Sequence, residues 1–200
     1  MSPTDKVEPI NLDNAISSNL ENVSMTAQEL RKDAEHFSSK QEITPEQRKD
    51  ILLATACGLA ADYQVDKALS TLQQYQTSSI KEQEVVDDYK NSRPRDTSFD
   101  RPVYSHEEEN TLDVDISDRL EKIKTFYQRA MYAAVMTRKQ GKVTPEQEKM
   151  LRLFYAIGYM VEKKIPEAEK TLKELSTMQE SYTLNESKQL LRMRQLAFKK

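Results

Sequence analysis

The chain has 200 residues, of which 32% are charged; it contains three glycines, one cysteine and no tryptophan, and carries a formal net charge of −3. So few glycines and so many charges exclude a turn-rich β-sandwich and favour long helices. One cysteine excludes an internal disulfide framework, and no apolar run reaches the roughly 18 residues that a membrane span requires.

Charge is unevenly divided. Residues 1–100 carry 11 basic and 18 acidic side chains, and residues 101–200 carry 19 and 15, so the halves face different partners or each other. The polar N-terminus lacks the basic-then-apolar order of a secretion signal, which points to an intracellular protein, in the cytoplasm first and the nucleus second.

Residues 1–10 hold too little apolar surface to order and are expected to be disordered. The first helical bundle is expected over 11–90. Its first helix carries Ile16, Leu20, Val23, Ala27, Leu30, Ala34 and Phe37 at four-three spacing, one apolar stripe along a long helix. Thr44-Pro45-Glu46-Gln47 then marks a helix start: the threonine hydroxyl accepts from the N3 amide, glutamine returns the bond, and proline at N1 gives up no needed donor. The second helix runs to about Asp62. Gly58 lies inside it, where glycine costs up to about 1 kcal/mol relative to alanine, so a close helix crossing with no room for a Cβ is expected there. After a tight turn, Val65, Ala68, Leu69, Leu72 and Tyr75 outline a third helix, and Ile80, Val85, Val86 and Tyr89 a weaker fourth.

A linker is expected over 91–111, with two prolines, Phe99, Tyr104 and the acidic run Glu107-Glu108-Glu109. The second bundle is expected over 112–200. Ile116, Leu120, Ile123, Tyr127, Ala130 and Ala134 repeat the first stripe, and Val143-Thr144-Pro145-Glu146-Gln147 repeats the helix start. Gly158, Ala168 and Leu172 repeat Gly58, Ala68 and Leu72. A closing helix over about Asn185–Lys200 carries Leu190, Leu191, Met193, Leu196 and Phe198. Residues 13–75 set above 113–175 without a gap give 18 identities in 63 positions, against about four or five for unrelated chains. The fold class expected is therefore all-α, two tandem three- to four-helix bundles related by an internal duplication at an offset of 100 residues. A period of 100 and not 34 separates it from tetratricopeptide repeats.

The order Asp115-Ile116-Ser117-Asp118-Arg119-Leu120, Gly141-Lys142-Val143-Thr144, Pro166-Glu167-Ala168-Glu169 and Leu190 to Leu196 resembles the small helical-bundle domain shared by the steroid receptor RNA activator protein and the C-terminus of the COPII outer-coat protein Sec31. The first half shares it more faintly through Asp13 to Leu20, Ile43-Thr44 and Ala68. The resemblance covers about 85 residues per copy. It implies a non-enzymatic interaction module, associated with coat assembly in one branch and RNA-linked transcriptional coregulation in the other. Two copies and no tryptophan depart from the family's pattern.

No catalytic residue, cofactor, metal or small-molecule substrate is indicated. His36 and His106 are 70 residues apart and Cys57 lies on an apolar helix face, which gives no metal-ligand or nucleophile–base spacing. Candidate partner-binding residues are Lys188, Arg192 and Arg194 on the basic last helix, which suit an acidic protein surface or phosphates, and Phe99 and Tyr104 in the linker. The function expected is a helical protein–protein interaction module, an adaptor or assembly subunit within a complex. The alternative is an RNA-associated regulatory protein using the basic C-terminal helix, against which the pI of about 5.6 weighs.

Overall fold

The computed structural model describes residues 11–40, 42–91, 106–139, 141, 143–177 and 186–193. The N-terminal segment 1–10, the middle of the linker with Phe99 and Tyr104, and the end of the last helix with Arg194 lie outside the described residues. The described chain is all-helical, with no strand: α1 Leu12–Ser38, α2 Pro45–Ala61, α3 Val65–Asn91, α4 His106–Lys139, α5 Pro145–Val161 and α6 Ile165–Thr177, followed by a short helix α7 over 186–193.

Local chemistry accounts for the boundaries. Asn11 caps α1, its side chain accepting from the Asn14 amide at 3.1 Å. Both expected capping boxes are formed: Thr44 and Thr144 accept from Gln47 and Gln147, and each glutamine accepts in return from the threonine N–H at 2.9 Å. The ends of α2 and α5 also match. Tyr63 and Lys163 take left-handed backbone, φ 64° and 56°, and the Gln64 and Lys164 amides reach back to the Leu59 and Tyr159 carbonyls at 2.8 Å. This is a Schellman close, in which a residue at positive φ turns the chain and satisfies orphan carbonyls.

Two expected boundaries change. The third and fourth helices expected in the first half are one helix, α3, of 27 residues. In its polar middle Thr77 and Ser78 turn their hydroxyls back to the Gln73 and Gln74 carbonyls, at 2.8 and 2.9 Å, an arrangement a helix tolerates. At the other boundary, α4 begins at His106, inside the segment read as linker. Residues 107–109 thereby fall in a first helical turn.

The helices stack in three layers of two. α2 and α5 pack on each other in the middle, α1 and α4 cover one side, and α3 and α6 cover the other. A middle helix must be apolar all round, and α2 buries Leu53, Ala54, Ala56, Cys57, Gly58, Ala60 and Ala61. α5 buries the bulkier Met150, Leu151, Leu153, Phe154, Ile157 and Met160. The middle layer thus pairs a helix of mostly small buried side chains with one of large ones. Apolar residues of both halves belong to one continuous core. The sequence left open whether the halves pack together; they do.

Two hydrogen bonds lock them reciprocally. The amide nitrogen of Gln47, having closed its own capping box, donates to Asp113 at the start of α4, at 2.9 Å. Gln147 likewise donates to Asp13 at the start of α1. Each long helix therefore begins against the other half's hairpin, and α1 and α4 run antiparallel. Arg119 of α4 strengthens the pairing through ion pairs to Glu29 and Asp33 of α1.

The two helical glycines sit at crossings, as their spacing suggested. A Cβ on Gly58 would lie 2.5 Å from the Ala27 Cβ, and one on Gly158 would lie 2.6 Å from the Tyr127 ring. The obstacle at Gly58 is fixed to the α1 backbone, whereas the one at Gly158 is the far end of a side chain. Gly58→Ala is therefore expected to lose about 1–2 kcal/mol net of the alanine helix preference, and Gly158→Ala to stay within about 1 kcal/mol of wild type, in urea unfolding.

Candidate functional site

The basic last helix settles on the first half. Helix α7 buries Ser187 and Leu191 and lies over a groove formed by Ser17, Leu20, Glu21, Ser24 and Met25 of α1 with Ala61, Asp62 and Tyr63 of the α2–α3 turn. The expected partner-binding residues Lys188 and Arg192 line this groove together, with Lys188 Nζ 4.3 Å from the centre of the Tyr63 ring. That ring is aimed by the left-handed backbone at Tyr63, a conformation that costs a bulky residue of order 1–2 kcal/mol and is held in place by its surroundings.

Electrostatics agree with the seating. Burial pushes the Lys188 ammonium below the usual lysine range, assisted by the neighbouring positive charge of Arg192, while Asp62 and Glu21 act in the opposite direction. Burial likewise pushes the Tyr63 phenol up. A lysine facing an aromatic ring is attracted by about 0.5–2 kcal/mol, more as water is excluded. The positive charge of α7 is thus partly spent inside the molecule, on an aromatic ring and two carboxylates. Periodicity identified the basic helix, but its docking partner, some 125 residues away in sequence between Tyr63 and Lys188, carries no local signal.

A second groove lies at the corresponding place in the other half. Ile116, Ser117, Leu120, Glu121 and Lys124 of α4 form its floor with Val161 and Lys163 of the α5–α6 turn, and Glu46, Gln47 and Asp50 of α2 complete its rim. Ser117, Leu120, Glu121 and Lys163 occur 100 residues after Ser17, Leu20, Glu21 and Tyr63. Lys163 uses the same left-handed position to reach Asp50 at 2.9 Å, and that carboxylate holds its ammonium above the usual lysine range. The second groove is built from elements of both halves, and the first is covered by a helix of the other half.

Apolar side chains also stand on the outer faces. Tyr132 and Val135, one turn apart on α4, are 62% and 44% exposed; the residues 100 positions earlier are the charged Lys32 and Glu35. Met25 beside the first groove and Leu190 and Met193 on α7 are exposed too. Cys57 is fully buried, and burial pushes its thiol far above the usual range, the opposite of what a nucleophile requires. Among the described residues no cluster of His, Cys, Asp and Glu could hold a metal ion, and no helix is long and apolar enough to cross a membrane. No family model, curated protein or solved structure matches this chain.

Proposed function

We propose that the protein is a helical protein–protein interaction module, acting as an adaptor or assembly subunit. The observation that carries this reading is the exposed pair Tyr132 and Val135 on α4, at positions where α1 carries Lys32 and Glu35. Leaving large apolar side chains in water forgoes roughly 25 cal/mol per Å² of burial. An aromatic residue beside an aliphatic one on a rigid helix is the kind of anchor on which interfaces concentrate their binding energy. The resemblance to coat-assembly and coregulator domains points in the same direction, and an assembly role in coat or trafficking machinery is the more specific form of the proposal.

The alternative, RNA association through α7, is weakened by the inward engagement of Lys188 with Tyr63. The two readings separate in one experiment. Affinity purification of the full chain from a nuclease-treated lysate is expected to retain defined protein partners, and Tyr132→Lys with Val135→Lys is expected to reduce their recovery about tenfold or more. Partners that vanish on nuclease treatment, or a recovery unchanged in the double variant, would count against the interface.

A further inference from the structure

We infer that the groove between α4 and the α5–α6 turn is a docking site for a basic amphipathic helix supplied by a partner protein; this deepens the interaction-module reading and rests on it. The occupant is specified by the chain itself. In the first groove the floor residues Ser17 and Leu20 and the carboxylates Glu21 and Asp62 face α7, whose buried side is Ser187 and Leu191 and whose flanking charges are Lys188 and Arg192. The second groove offers the same floor, Ser117 and Leu120. Glu121 stands at the position of Glu21 and lines this groove, whereas Glu162, at the position of Asp62, is ion-paired with Lys164 at 2.6 Å. A carboxylate that acts on Lys188 in the first groove, Glu21, therefore has its counterpart in the lining of the second.

Among the described residues no helix takes the place over this second surface that α7 takes over the first. The segment in the position of α7, one hundred residues earlier, starts at residue 86, and α3 carries it onward without a break to Asn91. Its sequence, Val86-Asp87-Asp88-Tyr89-Lys90-Asn91, is also acidic where α7 is basic, so it has the wrong charge for a groove of this kind. The rim supplies a further reason for a basic ligand: Glu46, Asp50, Asp113 and Glu121 contribute four carboxylates against the two ammoniums of Lys124 and Lys163. Helix-in-groove recognition of this kind takes its affinity from one or two apolar anchors and its selectivity from flanking charges. A serine and a leucine four residues apart on one face, with Lys or Arg directly following each, is the pattern that α7 displays and that the partner should share.

The probe is a fluorescent peptide with the sequence of residues 185–200, titrated against the full-length chain. Binding with a dissociation constant of roughly 10–100 µM is expected, weak because a short free helix must be ordered on docking. Replacing both Glu46 and Glu121 with lysine should weaken it about tenfold, as should reversing Lys188 and Arg192 in the peptide. Ser117→Trp, which obstructs the floor without changing charge, should do the same. All three protein positions are exposed, so helical circular dichroism should be retained. Absence of binding up to roughly 1 mM, a concentration at which even a weak specific contact is seen, would overturn the inference. So would binding indifferent to Glu46→Lys, Glu121→Lys and Ser117→Trp, which would place the peptide elsewhere. A captured partner with no peptide binding would leave the interaction module standing and remove this groove; peptide binding sensitive to these variants with no captured partner would do the reverse.

Discussion

Replacing Phe154 with alanine is expected to remove about 3–5 kcal/mol of stability, the range for deleting a large aromatic side chain from a closed core. Phe154 is completely buried on the middle helix α5, and neighbours in a three-layer stack have little freedom to collapse into the space it leaves. The position 100 residues earlier is Ala54, also buried, so α2 has no comparable side chain to substitute for it. Because the apolar residues of both halves form one cluster, the loss should be felt in both. Guanidinium or urea unfolding should show the midpoint falling with little change in slope, the mark of a destabilised but otherwise intact native state.

Gln147→Ala is expected to cost about 2–3 kcal/mol, more than Gln47→Ala. Each glutamine does two things: its oxygen closes the capping box, and its amide nitrogen crosses to the other half. Removing a capping partner costs about 1 kcal/mol. The larger share comes from the acceptor left behind. Asp13 is 6% exposed, so losing the Gln147 donor deprives a buried carboxylate of a hydrogen bond, a loss of about 1–3 kcal/mol. Asp113, which accepts from Gln47, is exposed and can turn to water. Thermal unfolding of the two variants side by side should therefore place Gln147→Ala lower, and Asp13→Asn, which keeps an acceptor oxygen, between it and wild type.

What was legible in the sequence was local. Thr44 and Thr144 announced helix starts because a capping box needs only four consecutive residues. Gly58 and Gly158 announced crossings because glycine inside a helix is costly unless space demands it. The apolar stripes of α1 and α4 were complete enough to predict which faces are buried. The joining of the halves was not legible. Gln47 and Gln147 each have donors to spare after closing their own boxes, and nothing in the sequence says that Asp113 and Asp13 receive them from 66 and 134 residues away. The continuity of α3 was missed because the apolar positions thin out between Tyr75 and Ile80, where Thr77 and Ser78 hydroxyls bond to the preceding turn and are tolerated within the helix.

The candidate site divides in the same way. Lys188 and Arg192 were identifiable as a basic helix face, but the reading pointed their charge outward to a partner, whereas Lys188 turns inward onto Tyr63. The signal for that lay in Tyr63 itself: a large aromatic side chain at the position that closes a helix, where glycine is usual, is held there by a contact elsewhere. The acidic second groove was invisible for a different reason. Its rim combines α2 with α4 and the α5–α6 turn, and no single stretch of sequence contains it.

The second groove and the covering of the first depend on the interlocking of the two halves, and that interlocking is open to a direct test. Native-state hydrogen exchange can follow the amides of Ala56 and Cys57 in α2 and of Ala156 and Ile157 in α5, in the wild-type chain and in Phe154→Ala. If the halves form one cooperative body, the four amides exchange only through global opening, and the substitution lowers the protection of all of them by the same amount, about 3–5 kcal/mol. Protection lost in α5 alone, with α2 unchanged, would show two bodies that unfold separately and would contradict the account.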